Sequence, residues 1–138
     1  MEYSYFVNLN QGEYMLLYII RGIPGSGKST LARTLAPESN YAADDYFIGE
    51  DGVYRYDRYK LPDAHAYCYA KVEEAMTRGD EVIAVANTFT RRLEMEDYVL
   101  LAEKMGYTVN EIICKGKFKS IHNVPEKTIQ AMKARFEY

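Results

Sequence analysis

The sequence predicts an α/β fold of three layers, with a mainly parallel sheet of four to five strands flanked by helices. Three observations predict it. Continuous apolar runs of strand length recur at Met15–Ile20 and Val82–Ala86, the composition of strands buried on both faces, and Val109–Cys114 reads as a further strand. Segments with helical periodicity separate these runs, which implies parallel strands joined by right-handed crossovers. The first run leads directly into a glycine-rich turn, Gly22-Ile23-Pro24-Gly25-Ser26-Gly27-Lys28-Ser29-Thr30, with a helical pattern behind it.

That turn fits G-x-x-x-x-G-K-[ST], the phosphate-cradling P-loop of nucleotide triphosphatases and kinases. Gly22, Gly25 and Gly27 let the backbone wrap tightly and aim several N–H groups at one anion. Lys28 reaches the β- and γ-phosphates as a mobile charge. The Ser29 hydroxyl is the expected ligand of a magnesium ion that keeps most of its waters. A helix beginning near Lys28 adds its positive N-terminal end. The whole stretch from Gly22 through Pro24, Ser26 and Thr30 is therefore read as the binding loop for ATP with Mg2+.

The remaining elements follow in order. Residues 1–14 hold Tyr3-Ser4-Tyr5-Phe6-Val7 and then a turn-like Asn10-Gln11-Gly12-Glu13, read as an extra edge strand or hairpin. Ser29–Ala36 reads as the first helix, closed by Pro37. Tyr41-Ala42-Ala43 is the second strand, with Asp44 and Asp45 at its C-terminal tip, the edge where open α/β sheets bind ligands. Residues 46–61 form a loop in which tyrosines alternate with Arg55, Arg58 and Lys60. Such a loop either faces a substrate, stacking and holding phosphate, or packs its tyrosines on the surface. Pro62–Arg78 is the second helix, with a stripe of Ala66, Tyr69, Ala70, Val72, Glu73, Ala75 and Met76. The third strand ends at Asn87-Thr88. A third helix spans 91–105, with Leu93, Tyr98, Leu101, Ala102 and Met105 inward. Pro125–Glu137 is the last helix, opened by its proline.

Composition sets bounds on function. At 138 residues the chain is read as a single domain, 1–138, with no linker and no internal repeat. No apolar run approaches the roughly twenty residues of a membrane span, and no signal peptide is evident. Cys68 and Cys114 lack metal-ligand spacing and read as reduced thiols of a cytoplasmic protein. The net charge of −3 is uneven: residues 104–138 carry seven cations against three anions, net +4, leaving −7 for residues 1–103. An acidic chain with one basic segment does not fit a non-specific nucleic-acid binder; it fits a protein that meets an anion at one place.

Two further groups complete the candidate chemistry. Phosphoryl transfer needs an acid near the γ-phosphate to take a proton from the attacking hydroxyl, and Asp44 and Asp45 diverge at a strand end where one of them serves this. The third strand ends without a carboxylate, so magnesium falls to Ser29, the acidic pair and the nucleotide, with Asn87 able only to offer a carbonyl. Arg91 and Arg92 follow at a helix start, where the helix dipole disfavours cations. Residues 115–124 read as a lid, with Lys115, Lys117 and Lys119 on a segment hinged at Gly116. His122 either binds an anion or packs.

These stretches resemble a known family. Gly22–Thr30, Ala43-Asp44-Asp45-Tyr46-Phe47, Leu61 through His65 and Cys68, Asn87-Thr88-Phe89-Thr90-Arg91-Arg92 and His122-Asn123-Val124-Pro125 through Phe136 are similar to small AAA-type ATPase and kinase domains related to polynucleotide 5′-kinase and, more distantly, zeta-toxin kinases. Chains of this kind are frequent in bacteriophages. The resemblance implies a P-loop kinase that moves the γ-phosphoryl of ATP to a hydroxyl, with a nucleic-acid or nucleotide 5′-hydroxyl as favoured acceptor. It places the general base on Asp44 and the lid cations on Lys117 and Lys119, where the family carries arginines. The rival expectation is a nucleotide-binding regulator with weak ATPase activity, one that acts on a host protein.

Overall fold

A computed structural model describes residues 15–118 and 122–138. The expected edge strand or hairpin at 1–14 and the lid residue Lys119 lie outside the described residues. Among the described residues, four strands form one parallel sheet: β1 (Leu16–Arg21), β2 (Asn40–Tyr41), β3 (Val82–Asn87) and β4 (Thr108–Ile113), in the order β2-β3-β1-β4. Four α-helices connect or follow them: α1 (Lys28–Leu35), α2 (Leu61–Arg78), α3 (Glu96–Met105) and α4 (Glu126–Arg135).

β1 lies centrally, in register with β3 from Leu16↔Val82 to Arg21↔Asn87 and with β4 from Leu16↔Thr108 to Arg21↔Ile113. Its alternate side chains enter two cores. Leu17 and Ile19 join α2, β3 and α3 on one face, with Val72, Ile83, Val85 and Leu101. Ile20 joins Ala32, Ala36, Ala84 and Ala86 under α1 on the other. Both faces are covered, which is why these strands read as unbroken apolar runs. Each fully buried Leu, Ile or Val contributes about 1.5–3 kcal/mol.

Several boundaries differ from the sequence reading. β2 is two residues long, and Asp44 and Asp45 lie not at a strand tip but on a 3-10 turn, Ala43–Phe47. Backbone hydrogen bonds from Asp45 to Ala42 and from Ile48 to Asp45 close that turn. α2 buries Ala64, Cys68, Val72, Ala75 and Met76, a stripe rotated from the expected one: Ala66, Ala70 and Glu73 are exposed. The reason is the partner surface, since the β3 and α3 side chains, not the composition of α2, choose which face is covered. Leu93, expected inward, is 76% exposed because a 3-10 turn, Arg92–Met95, precedes α3 and rotates it outward. Met95 takes the buried place.

Candidate active site

The turn between β1 and α1 is built from close backbone approaches. A Cβ on Gly22 would stand 2.3 Å from Ser26 Oγ and 2.9 Å from the Cys114 carbonyl oxygen. Gly25 and Gly27 take φ of +83° and +97°, the left-handed region that only glycine enters freely. Gly27 occupies the cap of α1, so Lys28, Ser29 and Thr30 form its first turn. The end of β3 holds the loop at one side, through Gly22 N–H donating to the Thr88 carbonyl at 3.2 Å. The segment after β4 holds the other: Gly116 N–H donates to the Ser26 carbonyl at 3.2 Å and Phe118 N–H to the Gly25 carbonyl at 2.7 Å.

Lys28 Nζ donates to the Ile23 carbonyl at 3.2 Å, folding the side chain back over the loop. Burial pushes its pKa down, opposed by the charge of Asp44. Ser26 is buried, and its Oγ has no hydrogen-bond partner among the described residues. Ser29 and Thr30 are exposed at the helix start, and Pro24 is half-buried.

The acidic pair divides. Asp45 Oδ2 accepts from Ala42 N–H at 3.1 Å, a capping bond that pins the turn. Burial raises its pKa, and the neighbouring Asp44 charge adds to the rise. Asp44 faces the other way. Its Oδ1 accepts from the Tyr54 hydroxyl at 3.3 Å, and its Oδ2 lies 3.7 Å from His122 Nε2. The two rings stack, with centroids 3.9 Å apart and planes 17° from parallel.

Asn87, at the tip of β3, does not offer its carbonyl to a metal. Its Oδ1 accepts from Ala43 N–H at 2.8 Å, tying the acidic turn to the sheet. Sequence reasoning missed this role, because the partner is a backbone group forty-four residues away. Arg92 is likewise committed elsewhere. It makes two 3.0 Å hydrogen bonds to the Glu111 carboxylate and one of 3.0 Å to the Tyr138 carbonyl. Arg91 and Lys117 remain exposed. Lys115 lies over the Tyr138 ring, 4.9 Å from its centroid.

Beside the acidic turn an open cleft of about 740 Å³ is lined by Tyr46, Phe47, Arg55, Tyr56, Arg58 and Tyr59. Phe47 meets Tyr56 edge-on at 5.2 Å, so the loop tyrosines partly pack and partly line open space.

The loop's residues suit a magnesium ion that comes with a nucleotide. Among the described residues no cluster of three or more His, Cys, Asp or Glu side chains forms a cation cage, while the exposed Ser29 hydroxyl at the helix start suits an ion that arrives on phosphates.

A glycine-rich phosphate-loop motif at the C-terminal edge of a parallel sheet, faced by an acidic turn, defines a P-loop α/β fold. The chain belongs to the AAA_33 family of AAA domains, whose model matches residues 17–138. It is 34% identical over 136 residues to human NEDD4-binding protein 2, a match covering 89% of this chain and 8% of that protein. The chain thus spans less than a tenth of that relative's length. Among solved structures it is similar to Kti12 of Chaetomium thermophilum in complex with ADP-AlF3, at a TM-score of 0.63 and 15% identity over 88% of this chain and 80% of that one. It is also similar to a gluconokinase from Sinorhizobium meliloti 1021, at a TM-score of 0.55 and 15% identity over 91% and 77% of the two chains. These likenesses show the fold. No described helix is long and apolar enough to cross a membrane.

Proposed function

We propose that this protein is an ATP-dependent phosphotransferase acting on a hydroxyl, with a nucleic-acid or nucleotide 5′-hydroxyl as the favoured acceptor. The observation that carries the reading is the opposition of Asp44 to Lys28. One turn presents a carboxylate, the other a partly desolvated ammonium, and the two act on each other electrostatically. The reading has a γ-phosphoryl group held by Lys28 meet a hydroxyl held by Asp44.

In this reading residues 22–30 hold the triphosphate, with Gly22, Pro24, Gly25, Ser26, Gly27, Lys28, Ser29 and Thr30 forming the cradle. Ser29 would hold magnesium together with the nucleotide, and the ion would neutralise phosphate charge. Asp45, engaged by Ala42 N–H, would be the second residue to help hold such an ion. The acceptor hydroxyl gives its proton to Asp44. Its oxygen forms a bond to the γ-phosphorus as the bond to the β–γ bridging oxygen breaks, and ADP leaves with that electron pair. Lys117 and Lys119 neutralise charge that develops on the transferring group. The aromatic and basic cleft beside Asp44 favours an acceptor with planar rings and phosphates.

The test is transfer of label from γ-labelled ATP, with magnesium, to 5′-hydroxyl oligonucleotides and nucleosides. Labelled acceptor is the expected product, lost in Asp44→Asn with ATP affinity kept. Release of inorganic phosphate alone would defeat the transfer reading. A second reading, a nucleotide-binding regulator with weak ATPase activity, acting on a host protein, is favoured by one observation. The β3 tip carries Asn87, occupied with Ala43 N–H, where a carboxylate would strengthen metal binding.

A further inference from the structure

Asp44 is approached on both of its oxygens by residues that lie outside the phosphate loop and the acidic turn. Tyr54 comes from the loop after the turn, and His122 from the segment before α4. The Tyr54 hydroxyl donates to Oδ1 at 3.3 Å. His122 Nε2 stands 3.7 Å from Oδ2 and also bears electrostatically on Asp45. The stacking of the two rings at 3.9 Å makes them one unit, so neither moves without the other.

We infer that Tyr54 and His122 form a clamp that positions the Asp44 carboxylate and selects Oδ2 as its proton-accepting oxygen. This rests on the reading of Asp44 as the base. With Oδ1 accepting from a phenol donor and His122 Nε2 beyond hydrogen-bond distance, Oδ2 is the more open of the two oxygens. The proton of an acceptor hydroxyl is then taken on Oδ2, beside His122. An unclamped aspartate on a 3-10 turn would rotate about its terminal torsion, which is broad and soft. Many of those orientations would aim neither oxygen at the acceptor hydroxyl. Tyr54 and His122 are positioning residues: they act on the reaction through Asp44. The Tyr54 hydroxyl stays protonated to do this, since burial and the Asp44 charge raise its pKa.

The clamp also links three parts of the chain. The loop 48–57 is pinned by Ile48 bridging to Tyr54 and by Arg55 N–H donating to the Phe47 carbonyl at 2.9 Å. The segment at 122–125 leads into α4 through Pro125, whose carbonyl accepts from Thr128 and Ile129. The Tyr54–His122 stack is where these two segments meet over the acidic turn.

The experiment separates the hydroxyl from the stack. Tyr54→Phe keeps the ring and removes the donor. His122→Leu removes the imidazole, and His122→Gln restores an amide donor near the same place. With a 5′-hydroxyl oligothymidylate, γ-labelled ATP and magnesium, Tyr54→Phe and His122→Leu should each lower kcat about tenfold, with the Kd for ATP changed by less than about twofold. His122→Gln should recover to within about threefold of the wild type. The chain has two histidines, His65 and His122, so imidazole proton NMR reads the clamp directly. The His122 signals should move in Tyr54→Leu and in Asp44→Asn while those of His65 stay. Wild-type kcat in both Tyr54→Phe and His122→Leu, or His122 signals unmoved in both NMR variants, would overturn the clamp. If the wild type labels no acceptor, the phosphotransferase reading fails on its own, and the NMR arm alone decides the clamp.

Discussion

Lys28 is a single charge on a partly buried stem, and its energetics are local. Removing it as Lys28→Ala should weaken ATP binding by about 1.5–3 kcal/mol, the loss of a charged hydrogen bond, and leave the fold intact. Thermal shift on adding Mg-ATP reads this, and an undiminished shift in the variant would remove the loop from nucleotide binding. Burial lowers the Lys28 pKa, so the sign with pH follows. The free protein loses this charge at lower pH than an ordinary lysine, near 10.4. ATP affinity measured by calorimetry should therefore begin to fall on the alkaline side before that value is reached, and Lys28→Ala should lack the fall. Asp45 is shifted in the other sense from Lys28. Its raised pKa means that the folded state favours the protonated carboxyl. Its ionisation therefore works against stability, an effect that fades as pH falls through the folded pKa. Asp45→Asn, which keeps an oxygen for Ala42 N–H, should melt no lower than the wild type at pH 7. Asp45→Ala should lose about 1 kcal/mol with the cap, as read by urea denaturation.

At the scale of elements, the acidic turn depends on β3. Asn87 is 7% exposed, and its Oδ1 is the acceptor for Ala43 N–H. Asn87→Ala leaves that backbone donor without its partner and should cost about 1–3 kcal/mol of stability. It should also lower transfer more than ATP affinity, since the turn carries Asp44 and not the phosphate loop. Equal losses in both would place Asn87 with nucleotide binding instead. The segment after β4 is the second element with a kinetic prediction. Its backbone is hydrogen-bonded to Ser26 and Gly25 carbonyls up to Phe118, and Lys117 is exposed beside the loop. Lys117→Ala with Lys119→Ala should lower turnover at least about tenfold, near 1.4 kcal/mol in barrier. The same pair should flatten the salt dependence of oligonucleotide binding. Unchanged kinetics at low and moderate salt would move the cationic role to Arg91.

Over the whole molecule, one charged network joins the sheet to the C-terminal residues. Arg21, at the end of β1, is fully buried. It donates to the Phe89 carbonyl at 3.0 Å, to Glu111 Oε2 at 2.6 Å and to the Glu137 carbonyl, and lies 4.8 Å from the Phe136 ring centroid. Phe89 pays for this position with φ of +42°, a strained backbone for an aromatic residue. Glu111 is shared between Arg21 and Arg92. Burial tends to raise its pKa, but the two guanidiniums prevail and hold it below the usual range. The sign is that of a depressed carboxylate: its stabilisation is present above the unfolded value, about 4.3, and is lost as pH falls through the lower folded value. Glu111→Gln should be about 2 kcal/mol less stable at pH 7. The gap to the wild type should shrink below about pH 4 when unfolding is followed by circular dichroism. A gap that stays constant with pH would remove the ion pair as its source.

The sequence by itself determined the strands, the order of helices between them and the phosphate loop, because each rests on local physics. Buried parallel strands are unbroken apolar runs, and the loop's glycines, Lys28 and Ser29 act through their own backbone and immediate neighbours. What only the tertiary structure decided lies in contacts between distant residues. Asp44 and Asp45 are chemically identical neighbours, and what divides them is Ala42 N–H on one side and Tyr54 with His122 on the other. His122 gave no hint of its stacked partner, since sixty-eight positions separate it from Tyr54. Arg92 read as a cation at a helix start, and the fold sets Glu111 and the Tyr138 carbonyl opposite it. Asn87 read as a substitute for a missing carboxylate, and the fold made it a strut. Long-range hydrogen bonds leave no periodic trace in sequence, so the partners of polar side chains appear only when the sheet brings its C-terminal edge together.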